Sequence, residues 1–219
     1  LLELCTVEFS GEQTEDVVCS GNRKIAIARD EAFNFMYREN VEALKRAGEV
    51  VFFSPLRDKS LPEADMVYFP GGYPELHLAE LAANEEMRQS VRKYCETGGR
   101  VLAECGGMMY LCDTITGDDG KVYPMAGVLK QGATMEQMKL KLGYREVRVN
   151  GQRIRGHEFH YSRILPANEK IPVIGTIYNA KDMVVDTPVY TYKNVLASYI
   201  HFYWGECGMD HFLMLMSQK

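Results

Sequence analysis

Four short apolar runs recur in the first half of the chain: KIAIA (Lys24–Ala28), VVFFSP (Val50–Pro55), DMVYFPGG (Asp65–Gly72) and RVLAE (Arg100–Glu104). None alternates apolar with polar as a strand with one wet face must, so both faces have to be covered, as in a parallel sheet with helices on either side. The intervening stretches have helical spacing. DEAFNFMYRENVEALKRAG sets Phe33, Tyr37, Val41 and Leu44 on one helical face and ends at Gly48, while Glu75–Ala83 and Glu85–Thr97 predict two further helices. GGMMYL restarts a helix directly after the fourth strand. Beyond Asp113 the pattern becomes mixed. TGDDGK is a turn, YREVRV-NG-QRIRG and PVYTY-KN-VLASYI are hairpins about Asn150-Gly151 and Lys193-Asn194, and MDHFLMLMSQK predicts a closing amphipathic helix.

Composition excludes several classes. Of 219 residues 46% are apolar and 25% charged, with a formal net charge of −5, which suits one folded domain and lacks the basic surplus that nucleic-acid phosphates require. No run reaches the roughly 20 apolar residues of a membrane-spanning helix, and the start has no basic segment ahead of an apolar one, so the expected location is cytoplasmic. The six cysteines form no C-x-x-C pair, which favours free thiols over a disulfide framework or zinc site. Residues 1–23, acidic and without periodicity, read as a linker or tail, and residues 24–219 as one domain.

Ligands of parallel sheets bind beyond the carboxyl ends of the strands. Two of those ends read AECGG and FPGG. Cys105, with Ala103 two residues before it and Gly107 two after, has the small neighbours of a nucleophile elbow; the alternative is a buried thiol packing a βα corner. In the elbow reading the helix N-terminus lowers the thiol pKa, and the Gly106 N–H is one oxyanion donor. Gly71 and Gly72 let backbone approach a ligand, with Gly72 as a second donor, or else they simply make a tight turn between Pro70 and Pro74. His201, closing the apolar VLASYI, is the best candidate base, with a hydrogen-bonded strand-end histidine as the competing reading. In RGHEFHYS, His157 and His160 face opposite ways on a strand, which disfavours a metal and suits either a polar pocket wall or ordinary strand-edge residues. His77 and His211 are expected at the surface. No G-x-x-x-x-G-K-[ST] P-loop occurs.

Taken in order, FPGGYPELHLAEL, GGRVLAECGGMMYL, LGYREV, GHEFHYS and ASYIHFYW closely resemble the glutaminase domains of the cobyrinic acid a,c-diamide synthase family, within the class I (triad) glutamine amidotransferases, from Lys24 to about Met216. The resemblance implies a flavodoxin-like fold: a mostly parallel central sheet with helices on both faces and an antiparallel extension in the second half. It implies Cys105 as nucleophile, His201 as base, and Gly72 and Gly106 as the oxyanion hole. Glutamine would lie against Gly71, Tyr73, Glu75, Met109, His160 and Tyr161, with no metal or cofactor in this domain. ATP and magnesium would belong to an N-terminal synthetase domain of the same full-length chain. That domain would bind most of the corrinoid, whose a and c carboxylates receive the ammonia. Other acceptors (cobyric acid, a nickel tetrapyrrole, a cell-wall lipid precursor) remain open, as does a non-catalytic docking module. Common class I domains carry C-x-G-x-[QL] and His-x-Glu, whereas this chain has Met109 and Tyr203 there. Glu75 and Glu206 are the acids to examine as the third triad member.

Overall fold

The computed structural model describes residues 22–167 and 170–205. The elements run β1 (Arg23–Ala28), α1 (Arg38–Ala47), β2 (Gly48–Phe53), β3 (Met66–Phe69), a 3-10 turn (Pro74–Leu76), α2 (Leu78–Ala83), α3 (Glu85–Glu96), β4 (Arg100–Glu104) and α4 (Gly106–Leu111). Then follow β5 (Cys112–Thr116), β6 (Val122–Pro124), β7 (Leu129–Thr134), β8 (Lys141–Val149), β9 (Gln152–His160), β10 (Arg163–Ile164), β11 (Thr176–Asn179), β12 (Val189–Tyr192), β13 (Val195–Ser198) and β14 (Ile200–Phe202).

The main sheet has the order β12-β13-β4-β3-β1-β2, parallel throughout except for the β12–β13 hairpin at its edge. Its apolar runs divide by pleat. Ala26, Ala28, Val67, Phe69, Val101 and Ala103 pack against α3 and α4, while Ile25, Ile27, Met66, Tyr68 and Leu102 pack against Leu44 of α1 and against the antiparallel sheet β11-β8-β9-β14. Both faces are therefore dry, as the unbroken runs require. A third sheet, β10-β7-β5-β6, has no counterpart in the sequence pattern. Both expected hairpins form, at Asn150-Gly151 and Lys193-Asn194.

Three expected elements take a different form. The first helix begins only at Arg38, because the Asp30 carboxylate accepts the N–H groups of Ala32 (2.9 Å) and Phe33 (3.1 Å), and Phe35 bridges to Gly71 through both backbone bonds (3.0 and 3.1 Å). Residues 30–37 are thus a loop across the strand ends. The 75–83 helix is split at His77, whose N–H closes onto the Pro74 carbonyl (2.9 Å). The apolar VLASYIH does not run on as one strand: Val195–Ser198 stays in the main sheet, and the chain crosses at Tyr199 so that Ile200–Phe202 joins β9. The expected closing helix and residues 1–21 of the expected 1–23 tail lie outside the described residues, and Arg23 already belongs to β1.

Two strand ends define the site. β3 and β4 are neighbours in register, Phe69 beside Ala103, so the Pro70-Gly71-Gly72 loop and Cys105 emerge side by side. α4 then leaves in almost no space, since a Cβ on Gly107 would lie 2.3 Å from the Phe69 carbonyl oxygen. Backbone cannot yield as a side chain can, so Gly107→Ala is expected to cost about 2–3 kcal/mol of stability, read from urea denaturation. An unchanged midpoint would show that α4 can shift freely.

Candidate active site

Cys105 has φ 47 and ψ −107, a conformation that L-residues rarely hold, at the residue capping α4. Its own N–H is anchored to the Ser198 carbonyl (2.8 Å) and its Sγ lies 3.7 Å from the Phe159 carbonyl oxygen of β9. The strained strand-to-helix turn that an elbow requires is present, around a thiol that is buried in the core. The amides of Gly106 and Gly72 have no backbone acceptor among the described residues, and a Cβ on Gly106 would meet Pro74 Cδ at 2.7 Å and the Gly72 carbonyl oxygen at 3.1 Å. The two glycine pairs therefore press together at the end of the cysteine strand, with two amides that no backbone carbonyl among the described residues takes up.

His201 stands on β14 directly across from His157 of β9. It is 4% exposed, with its ring against Gly71: a Cβ there would lie 2.2 Å from Cε1. Phe35 stands edge-on at 4.7 Å and the His157 ring stacks at 4.8 Å. The β3 loop thus ties the two halves of the site, with Gly71 on the histidine and Gly72 by the amide that follows the cysteine.

Electrostatically the pair rests neutral. Burial, reinforced by the nearby Glu75 charge, pushes the Cys105 thiol up to about 12 against the opposing Gly106 N–H. Burial, with His157 and His160, brings His201 down to about 3. This corrects the expectation of a lowered thiol pKa: α4 is only six residues long, and one amide does not offset the loss of solvent. Glu75, itself raised by burial, acts on the thiol and not on the histidine. Glu206 lies outside the described residues.

Of the other expected contacts, Tyr73 and Tyr161 are exposed at the mouth and Met109 is buried on α4, where its Sδ accepts from Ser162 Oγ at 3.2 Å. His160 differs from expectation. It does face away from His157, but its Nδ1 lies 2.7 Å from the Ser162 carbonyl oxygen and its Nε2 2.8 Å from Glu158, and its ring stacks on Tyr199 at 3.6 Å. With both ring nitrogens engaged inside the protein, it buttresses the Tyr161-Ser162 backbone and offers no free nitrogen to a ligand. Burial pushes the Glu158 carboxyl up, yet His160, Lys141, Thr187 and Arg145 together bring it down to about 2. A cavity of about 1210 Å³ between β7, β10 and β11 reaches this wall at His160, Tyr161 and Ser162. Among the described residues no three His, Cys, Asp or Glu side chains converge as metal ligands.

Sequence reasoning missed Phe35 and Tyr37, which it placed on a helix, and Glu104. Glu104 is fully buried, accepts from Tyr68 Oη (2.8 Å) and from the Phe202 N–H (3.2 Å), and so fixes the strand of His201 to that of Cys105. Burial raises its carboxyl to about 8, against those two hydrogen bonds.

At the strand ends of a flavodoxin-like sheet the chain carries a strained cysteine turn, two glycine pairs and a strand-borne histidine, and the family model that matches it makes it a glutamine amidotransferase domain. Solved structures agree in fold: a glutamine amidotransferase superposes with TM-score 0.58 over 89% of this chain and 99% of its own at 22% identity. A glutamine amidotransferase from Thermotoga maritima gives 0.51 over 82% and 76% at 12%. More narrowly, the chain belongs to the CobB/CobQ-like glutamine amidotransferase domain family, whose model matches residues 24–208. It is 40% identical to the hydrogenobyrinate a,c-diamide synthase of Pseudomonas aeruginosa over 82% of this chain and 41% of that protein. It is 36% identical to the cobyrinate a,c-diamide synthase of Salmonella typhimurium over 83% and 42%. The chain therefore spans about two fifths of the length of these relatives.

The charges of the site can be tested directly. A thiol titrating at about 12 is protonated near neutrality, so in the absence of glutamine its alkylation by iodoacetamide should climb about tenfold per pH unit from pH 7 to 10; a plateau below pH 8 would reveal a resting thiolate–imidazolium pair. Glu104, with its folded pKa above its unfolded one, holds its proton more tightly when folded, so its contribution to stability is full in acid and falls as pH rises through about 8. Glu104→Gln does not titrate, so its Tm should gain at least about 3 °C on the wild type between pH 5 and pH 9 in thermal melts.

Proposed function

We propose that the chain hydrolyses glutamine and hands the ammonia to an ATP-dependent amidation of corrinoid carboxylates. The observation that carries this is Cys105 at φ 47, with the amides of Gly72 and Gly106, which have no backbone acceptor among the described residues, to one side and buried His201 on the other side of the same loop. Glutamine would bind against Gly71, Tyr73, Glu75, Met109 and Tyr161, excluding the last water from the thiol.

His201 accepts the Cys105 proton as the thiolate attacks the glutamine amide carbon, and the amides of Gly72 and Gly106 hold the resulting oxyanion. The imidazolium returns its proton to the departing amine, giving ammonia and a γ-glutamyl thioester. Water, deprotonated by His201, attacks the thioester; collapse releases glutamate, and the proton returns to the thiol. Because the pair rests neutral, bound substrate must supply the setting in which the proton moves, which protects the thiol from idle chemistry.

The a,c-diamide synthase names of the relatives support a cobyrinate-type acceptor. The acceptor site, ATP and magnesium are assigned to the additional length that those relatives possess. A cytoplasmic location suits such a biosynthetic step, and no helix among the described residues is long and apolar enough to cross a membrane. Leu142, Tyr144 and Phe159, exposed on the paired strands β8 and β9, with Tyr161 just beyond β9, are the face we assign to the partner half; the Phe159 carbonyl lies 3.7 Å from the thiol.

A diazo-ketone glutamine analogue tests the reading: mass spectrometry should find a single adduct, on Cys105. Cys105→Ser should abolish it, and His201→Ala should slow it by about 10²-fold or more. A well-folded protein that is labelled elsewhere, or not at all, would sink the proposal.

A further inference from the structure

A histidine base needs to be oriented, and in a triad an acid bonded to its second nitrogen does this. His201 lacks that support. Its Nδ1 is buried with no hydrogen-bond partner among the described residues, and the position two residues on is Tyr203, not an acid. The charged and titratable groups that act on His201 are His157 and His160; Glu75 acts on the thiol instead.

We propose that His157 is the positioning residue for His201, holding the base by its ring face in place of an acid. This rests on the glutaminase reading above. The two rings are opposite each other in the β9–β14 register and stack nearly parallel, with centroids 4.8 Å apart and planes 17° apart. Phe35 closes a third side edge-on at 4.7 Å, and Gly71 leaves no room on a fourth. His201 therefore has one ring plane available to it.

His157 is itself held. Tyr37 Oη lies 2.5 Å from its Nδ1, and with the phenol donating, the ring proton sits on Nε2. Tyr37 in turn packs edge-on against Tyr203 at 5.4 Å. The chain Tyr203–Tyr37–His157–His201 thus reaches the base from the very position where a common triad carries its acid. Burial lowers the His157 pKa, which keeps the ring neutral. A neutral ring face attracts the imidazolium that His201 becomes on taking the thiol proton, whereas a second positive ring would repel it. The titratable groups around the stack are Tyr37, Tyr144 across β8, Tyr203, His160 and, acting on Tyr37, Glu104 and Glu39.

Two variants of similar size separate the parts of His157. His157→Phe keeps a face and loses the acceptor for Tyr37, while His157→Asn keeps a polar acceptor and loses the face. Inactivation by the diazo-ketone analogue gives a maximal rate and a binding constant for each. His157→Asn should lower the maximal rate about 10- to 100-fold, with the binding constant changed less than about twofold; His157→Phe should stay within about threefold of the wild type in both. Wild-type rates in His157→Asn, or a fall in His157→Phe as deep as in His157→Asn, would overturn the proposal. If the wild type is labelled on Cys105 and the variants match it, only the role of His157 fails; if the wild type is not labelled at Cys105, the glutaminase reading itself fails.

Discussion

Everything at the site depends on two parallel strands ending together. The register of Phe69 with Ala103 places the FPGG loop and the cysteine turn side by side, and close backbone approach fixes the spacing that follows. Gly107 rests on the Phe69 carbonyl, Gly106 on the Gly72 carbonyl, and Gly71 on the His201 ring. No side chain fits at any of these contacts. The strain of Cys105 at φ 47 is sustained because β4 before it and α4 after it are both buried, so the turn cannot relax without disrupting the sheet.

The same burial that holds the turn sets its electrostatics. A thiol and an imidazole enclosed by apolar rings, glycines and a neutral Glu104 lose the solvent that would support charge, and both shift toward their uncharged forms. The carboxylates that act on the thiol, Glu75 and Glu158 among them, raise it further and do not support a thiolate. Tyr68 and Phe202 bond to a protonated Glu104, which joins the strand before Cys105 to that of His201 without adding charge. Cys105, His201 and Glu104 are thus held stiffly and uncharged at rest.

What is legible in the chain follows from which constraints are local. Unbroken apolar runs require a sheet covered on both faces, and the small residues around Cys105 require a tight turn; both are properties of a few consecutive residues. The third sheet is not legible, because its strands β6 and β10 are two or three residues long and carry no period. Phe33 and Tyr37 keep helical spacing yet lie on a loop, since Asp30 captures the amides that a helix would have used. The thiol pKa escapes the sequence for a related reason: a helix start is visible there, but the depth at which it is buried is set by strands nearly a hundred residues away. His201 is marked by its position after an apolar run, although it reaches the site on another sheet, by a crossing at Tyr199 that spacing alone does not reveal.

The replacement of an acid by Tyr203 gains a physical sense from this geometry. An acid there would add negative charge against Tyr37, on which Glu39 and Glu104 already act, and its desolvation would have to be offset by a charged partner. A tyrosine makes no such demand. It packs on Tyr37, which fixes His157, which stacks on His201, so the orientation an acid provides through one strong bond is distributed over three aromatic contacts. Such an arrangement gives up some of the pull on the imidazolium and keeps the alignment. That exchange suits a cysteine nucleophile better than a serine, because a thiol needs less assistance from its base to become reactive.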